Sequence, residues 1–147
     1  MMTDQPGLDL TQRSTFKLFT PVTLRFCDTD KLGHINNVSI AAFLEASRCE
    51  LIDGAVARAR IEPGFDYVLA RVAIDFRSEL HYPGTVEVGG RFLRVGNRSI
   101  LSGYGAFLGD RCFATGEAVN VFIDLERRVS VPVPDNLRRL LQEEISG

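Results

Sequence analysis

The chain crowds reactive side chains into one short stretch, Asp28-Thr-Asp30-Lys-Leu-Gly33-His34-Ile-Asn36-Asn37. Asp28 and Asp30 are two residues apart, so an extended backbone would place both carboxylates on one face, whereas a turn would separate them. Gly33 permits a backbone conformation that other residues avoid. His34 and the two Asn lead directly into an apolar run, and a helix beginning there offers free N–H groups and a dipole that favour negative charge. A carboxylate that activates water or attacks directly, beside backbone N–H groups that hold an oxyanion, is the equipment of acyl transfer. Each residue also has a plainer use. Asp and Asn are common turn formers and N-caps, and a single His is more often a packing residue than a catalyst. Residue types alone leave both readings open.

The elements around this stretch are legible from their periodicity. Residues 15–26 alternate through Val22, Leu24 and Phe26, the pattern of a half-buried strand. Pro21 implies a bulge or an edge position. A helix is predicted over 38–53, with Asn36 or Asn37 as N-cap and Gly54 as its stop; residues 55–66 either extend it or form a loop ending at Pro63-Gly64. Its surface is so apolar that it should be largely enclosed. Strands follow over 68–80, 85–95, 98–108 and 111–124, separated by Pro83-Gly84, Gly96-Asn97 and Gly109-Asp110. Links this short join antiparallel neighbours. A last amphipathic helix spans 135–145. The economical solution is α+β: an antiparallel β-sheet wrapped around one long central helix. The sheet is expected to continue into a second subunit at an open edge, giving a homodimer or homotetramer.

With 147 residues the chain holds one domain. Residues 15–147 are assigned to it and residues 1–14 to a flexible N-terminal leader. Ten Phe and abundant Val, Leu and Ile exclude a disordered chain. A net charge of −2 offers no basic field for nucleic acid. No apolar run is long enough to span a membrane, and the N-terminus lacks a secretory pattern. Cys27, Cys49 and Cys112 are odd in number and far apart. They are read as reduced, mostly packed thiols of a cytoplasmic protein, and no metal site is expected.

The segment from Asp28 to Asn37, followed by Phe43, Glu45 and Arg48, resembles the hotdog-fold acyl-CoA thioesterases. It is most similar to the 4-hydroxybenzoyl-CoA thioesterase-like branch, with its D-x-D-x-x-G-H-[VI]-N-N signature. The resemblance covers nearly the whole chain apart from the leader. It implies hydrolysis of an acyl-CoA thioester to a carboxylic acid and free CoA. Asp30 would be the catalytic carboxylate, Gly33 would shape the turn, and the backbone N–H at or near Asn37 would polarise the thioester carbonyl. His34 and Asn36 would hold the turn and orient Asp30. No cofactor is implied, since coenzyme A is part of the substrate. Family members often carry Tyr where this chain has Ile40 and Phe43, which implies an apolar acyl pocket.

Glu45 is the second candidate, because another hotdog branch uses a helix-borne Glu; its plainer use is an ion pair with Arg48. His81-Tyr-Pro-Gly84 is read as a turn, and Gly89-Gly90 as a bulge or tight bend. Arg91, Arg94 and Arg98, Arg127-Arg128 and Arg138-Arg139 are read as surface charges. Two other functions stay open on the sequence: a hotdog hydratase or dehydratase, which would need His34 or His81, and a non-catalytic acyl-CoA binding protein.

Overall fold

The structure is a computed structural model and describes residues 8–147. Its elements are β1 (Leu18–Thr23), α1 (Asn37–Ala59), β2 (Phe65–Phe76), β3 (Thr85–Val95), β4 (Ser99–Leu108), β5 (Arg111–Asp124), β6 (Val129–Ser130) and α2 (Asp135–Ser146). The strands form one sheet in the order β1-β3-β4-β5-β2, with the short β6 beside β5. Every pairing is antiparallel. This is the expected α+β plan, a curled sheet against one long helix. β1 is an edge strand, which accommodates Pro21. Among the described residues no helix is long and apolar enough to cross a membrane.

Residues 1–7 of the expected leader lie outside the described residues. Residues 8–14 have a defined course: Asp9 accepts the Thr11 N–H at 2.9 Å, and Leu10 lies over Gly103 and Gly105 of β4. Cys27 and Cys49 are exposed in the single chain, contrary to the packed thiols expected, and Cys112 is half-buried.

Asn36 starts α1 by accepting the Ser39 N–H on its side chain at 2.8 Å. Ile40, Phe43, Leu44, Ser47, Arg48, Leu51, Ile52, Ala55 and Ala59 are buried, at spacings of three and four. Only this face is covered. Ala42, Ala46 and Cys49 are exposed, so within one chain the helix is not enclosed as its composition suggests. The expected stop at Gly54 is also wrong. The following residues, Ala55, Val56, Ala57, Arg58 and Ala59, sustain the helix through good formers and two buried alanines. It ends at Arg60, in the left-handed region with φ 55°.

Gly89 and Gly90 are not a bulge either. Both pair in regular register, and the register shift in β3 falls between Phe92 and Arg94. Gly90 is there for close approach: a Cβ on it would sit 2.8 Å from Ser47 Oγ and 3.0 Å from the Tyr104 ring. Leu44 presses on Gly116 of β5 in the same way. These two contacts let α1 settle onto the sheet above Tyr104, Phe113 and Phe122. Gly90→Ala is expected to destabilise the fold by about 1–3 kcal/mol through overpacking, read as a lower denaturant midpoint.

β2 is the other edge. Tyr67, Leu69, Val72, Ile74 and Phe76 stand opposite Phe122, Asn120, Ala118, Gly116 and Ala114, the helix-facing row of β5. Directly opposed residues share a face, so this whole row of β2 also faces the helix side. A register slip between Leu69 and Arg71 keeps its two halves in line. The row is nevertheless open, with Leu69 43%, Val72 42% and Phe76 45% exposed.

Candidate active site

Beyond β1 the chain makes one short 3-10 turn, Phe26–Asp28, and the two aspartates of the motif then part company. Asp28 is buried. Its carboxylate accepts the Arg25 backbone N–H at 2.9 Å, the Arg25 guanidinium at 2.9 Å and the Ser39 hydroxyl at 3.1 Å. Its carbonyl accepts both the backbone and the side-chain N–H of Asn36, at 2.8 and 2.9 Å. Asp28 therefore ties the turn to the start of α1. The Arg25 hydrogen bond, aided by the Ser39 hydroxyl, outweighs burial and holds its carboxyl below the usual carboxylate range.

Asp28→Asn is expected to cost about 1.5–3 kcal/mol at neutral pH, the loss typical of hydrogen bonds to a charged group. Solvent around the exposed Arg25 guanidinium screens its share, so the cost falls toward the lower end of that range. Because the folded-state value is depressed, the contribution is present above the ordinary Asp value and fades as pH falls through the folded one. The gap between wild-type and variant unfolding midpoints should therefore narrow below about pH 4.

Asp30 occupies a turn of its own. Its N–H donates to the His34 carbonyl at 2.7 Å, and its carbonyl accepts the Gly33 N–H at 3.1 Å. Gly33 sits at φ 83°, where a side chain would be strained. Asp30 Oδ1 accepts the N–H groups of Leu32 (2.9 Å) and His34 (3.1 Å). One carboxylate oxygen is thus fixed by the backbone, while Oδ2 makes no hydrogen bond to any described residue.

Asp30, His34, Asn37 and Ile40 open onto a cleft of about 300 Å³ whose far wall is the chain leaving β2, residues 76–80. Asn37 is the first residue of α1, so its N–H has no acceptor within the helix. The cleft thus combines a carboxylate, a helix N-terminus and an apolar lining from Ile40, Phe76 and Leu80. Gly33 and Asn36 shape its edge without lining it. Phe43 lies in the core, and Glu45 is exposed with Arg48 Nη2 at 3.4 Å; neither reaches the cleft.

The sequence reading missed the wall formed by Arg77, Ser78 and Glu79, and the place of His81. His81 pairs with His34 across an isolated antiparallel bridge, and their rings stand 4.8 Å apart, edge to face. Each Nε2 lies 3.5 Å from Glu79 Oε2. These three donors could hold a metal ion. The only hint in the sequence is that the chain has just two histidines. Several arginines are engaged within the fold: Arg91 with the Thr15 carbonyl, Arg98 with Ser130, Arg127 with Asp124 and Arg138 with the Asn97 carbonyl.

The chain is similar to known proteins in sequence and in fold. No curated protein matches the chain. Among solved structures, a predicted thioesterase from Bacillus stearothermophilus is 28% identical, with 86% of this chain and 95% of that one covered at a TM-score of 0.77. A Pseudomonas aeruginosa PAO1 protein is 27% identical over 90% and 94% of the two chains, at 0.76. A thioesterase from Thermus thermophilus, solved with coenzyme A and Zn, is 25% identical over 90% and 96%, at 0.73. The thioesterase-like superfamily matches residues 24–141, which hold the turn, α1, the antiparallel sheet from β2 to β6 and the start of α2. The chain therefore belongs to the thioesterase-like superfamily and has its hotdog fold.

Proposed function

We propose that this protein is an acyl-CoA thioesterase that works at the cleft where α1 begins. The observation that carries the reading is that Asp30 and Asn37, the first residue of α1, line one cleft. The thioester carbonyl oxygen would point at the helix N-terminus, where the Asn37 N–H stabilises the developing negative charge. Asp30 Oδ2 takes a proton from water as its oxygen attacks the carbonyl carbon. The C–S bond then breaks, the acyl group leaves as the acid, and the sulfur departs as CoA thiol with that proton. His34 holds the turn through its N–H to Asp30 Oδ1. Coenzyme A in the Thermus thermophilus relative supports a CoA ester as substrate. Ile40 and Phe76 favour an aliphatic or plain aromatic acyl group. The step uses no cofactor, and unpaired Cys27, Cys49 and Cys112 suit a reducing, cytoplasmic compartment.

We infer that the working form is a homodimer joined through β2. Its outer edge pairs with no described strand, and its open apolar row runs up to Phe76 at the cleft. A second copy that extends the sheet would cover both and close the site from the far side.

The test is thiol release from short, medium, long-chain and aromatic acyl-CoAs, with wild type and Asp30→Asn side by side. Release that collapses in the variant supports the reading. Release that persists in it removes Asp30 from the mechanism. Saturable CoA-ester binding without any release points to a binding protein, and conversion of enoyl-CoA or hydroxyacyl-CoA without thiol release to a hydratase or dehydratase.

A further inference from the structure

We propose that His34, Glu79 and His81 form a binding site for one divalent transition-metal ion of the zinc type, at the rim of the cleft. The backbone frame comes first. The antiparallel bridge between His34 and His81 sets the two side chains on one side, and the neighbouring Ile35 N–H donates to the Leu80 carbonyl at 2.7 Å. Both of the chain's histidines meet at this bridge.

The spacing matches coordination better than it matches hydrogen bonding. Glu79 Oε2 is 3.5 Å from each Nε2, whereas a direct N–H···O bond closes to about 2.7–3.2 Å. Donors held about 2.1 Å from a tetrahedral zinc lie about 3.4 Å from one another. One donor atom from each residue lies within 4.8 Å of the other two. Glu79 and His81 are exposed, so small rotations close the widest gap. Two imidazoles and a carboxylate suit zinc and its neighbours, and three protein ligands leave a fourth position to water.

A bound ion would lace the turn that carries Asp30 to the connection between β2 and β3. It has no part in the hydrolysis proposed above, and its binding can be read without any assay of activity. Because the three donors meet only in the folded chain, binding should also raise the melting temperature.

The experiment is calorimetric titration of the full chain, freed of metal by chelation, with zinc chloride at neutral pH. One ion per chain is expected. Mutation of residues that merely orient a metal ligand costs about 10–100-fold in affinity, so His81→Gln and Glu79→Gln, which remove ligands outright, should weaken binding by at least about tenfold. A Cys27→Ser/Cys49→Ser variant should bind as wild type does, which separates this site from the exposed thiols. Zinc should raise the melting temperature of wild type more than that of His81→Gln at the same concentration. Absence of stoichiometric binding overturns the proposal, as does undiminished affinity in a folded His81→Gln protein.

Discussion

Asp30→Asn should lower kcat for thiol release from acyl-CoA by about 10²–10⁴-fold, the range removed with a positioned general base. It should leave KM and the melting temperature close to wild type. The asymmetry of the carboxylate is the reason. Oδ1 accepts two backbone N–H groups, from Leu32 and His34, and the amide oxygen of Asn continues to do so. Only Oδ2, which bonds to no described residue, changes its chemistry from proton acceptor to NH₂ donor. Asp30→Ala would be a poorer probe, because it also strips the turn of its acceptor. Asp28→Asn is the natural control: it sits two residues away, and its cost falls on stability because its oxygens are already occupied. Steady-state kinetics and thermal melts on the two variants separate these roles. Normal kcat in Asp30→Asn would sink the mechanism.

Val72→Asp should turn the proposed dimer into monomer and take most of the proposed thioesterase activity with it. Val72 lies midway along the open helix-side row of β2, 42% exposed in the single chain, so the substitution is tolerable there. In a two-fold assembly built across this edge the new carboxylate would be buried and would approach its own copy. Leaving such a charge unpaired costs about 3–5 kcal/mol, which is about 10²–10³-fold or more in dissociation constant. Sedimentation should show the shift at micromolar protein. Activity should fall because Phe76, at the end of the same row, lines the cleft. A Val72→Asp protein that stays dimeric would place the interface elsewhere.

Strands bracketed closely by turn residues were readable, whereas β2, expected over 68–80, runs Phe65–Phe76 and leaves residues 77–80 outside the strand. β3 and β5 fall within the expected limits to the residue, bounded by Pro83-Gly84 and Gly109-Asp110. The end of α1 was not readable. Gly54 is a stop signal only where the chain has reason to turn, and here the buried Ala55 and Ala59 hold the helix in place beyond it. Gly89-Gly90 misled for a related reason: a glycine pair in a strand marks either irregular backbone or a close neighbour, and the neighbours Ser47 and Tyr104 come from elsewhere in the chain. The turn could be read as a site because its residues are contiguous. The wall opposite could not, since Phe76 to Leu80 are brought to Asp30 only by the β2–β5 register and by the bridge at His34. Periodicity indicates which face a residue takes, not which distant residue it meets.

The sheet order also sets a timetable for synthesis. β2 is made early, yet its hydrogen-bonding partner is β5, so all of β3 and β4 must emerge before β2 can pair. Loops of this span close slowly relative to hairpins. Through that interval Val68, Val72 and Phe76 have α1 behind them in the chain but no strand on either edge, and two nascent chains on one message would offer each other the same unpaired edge. The edge inferred to build the dimer is thus also the one at greatest risk of mispairing during translation. β3 and β4, joined by a tight turn, can form as soon as they are made.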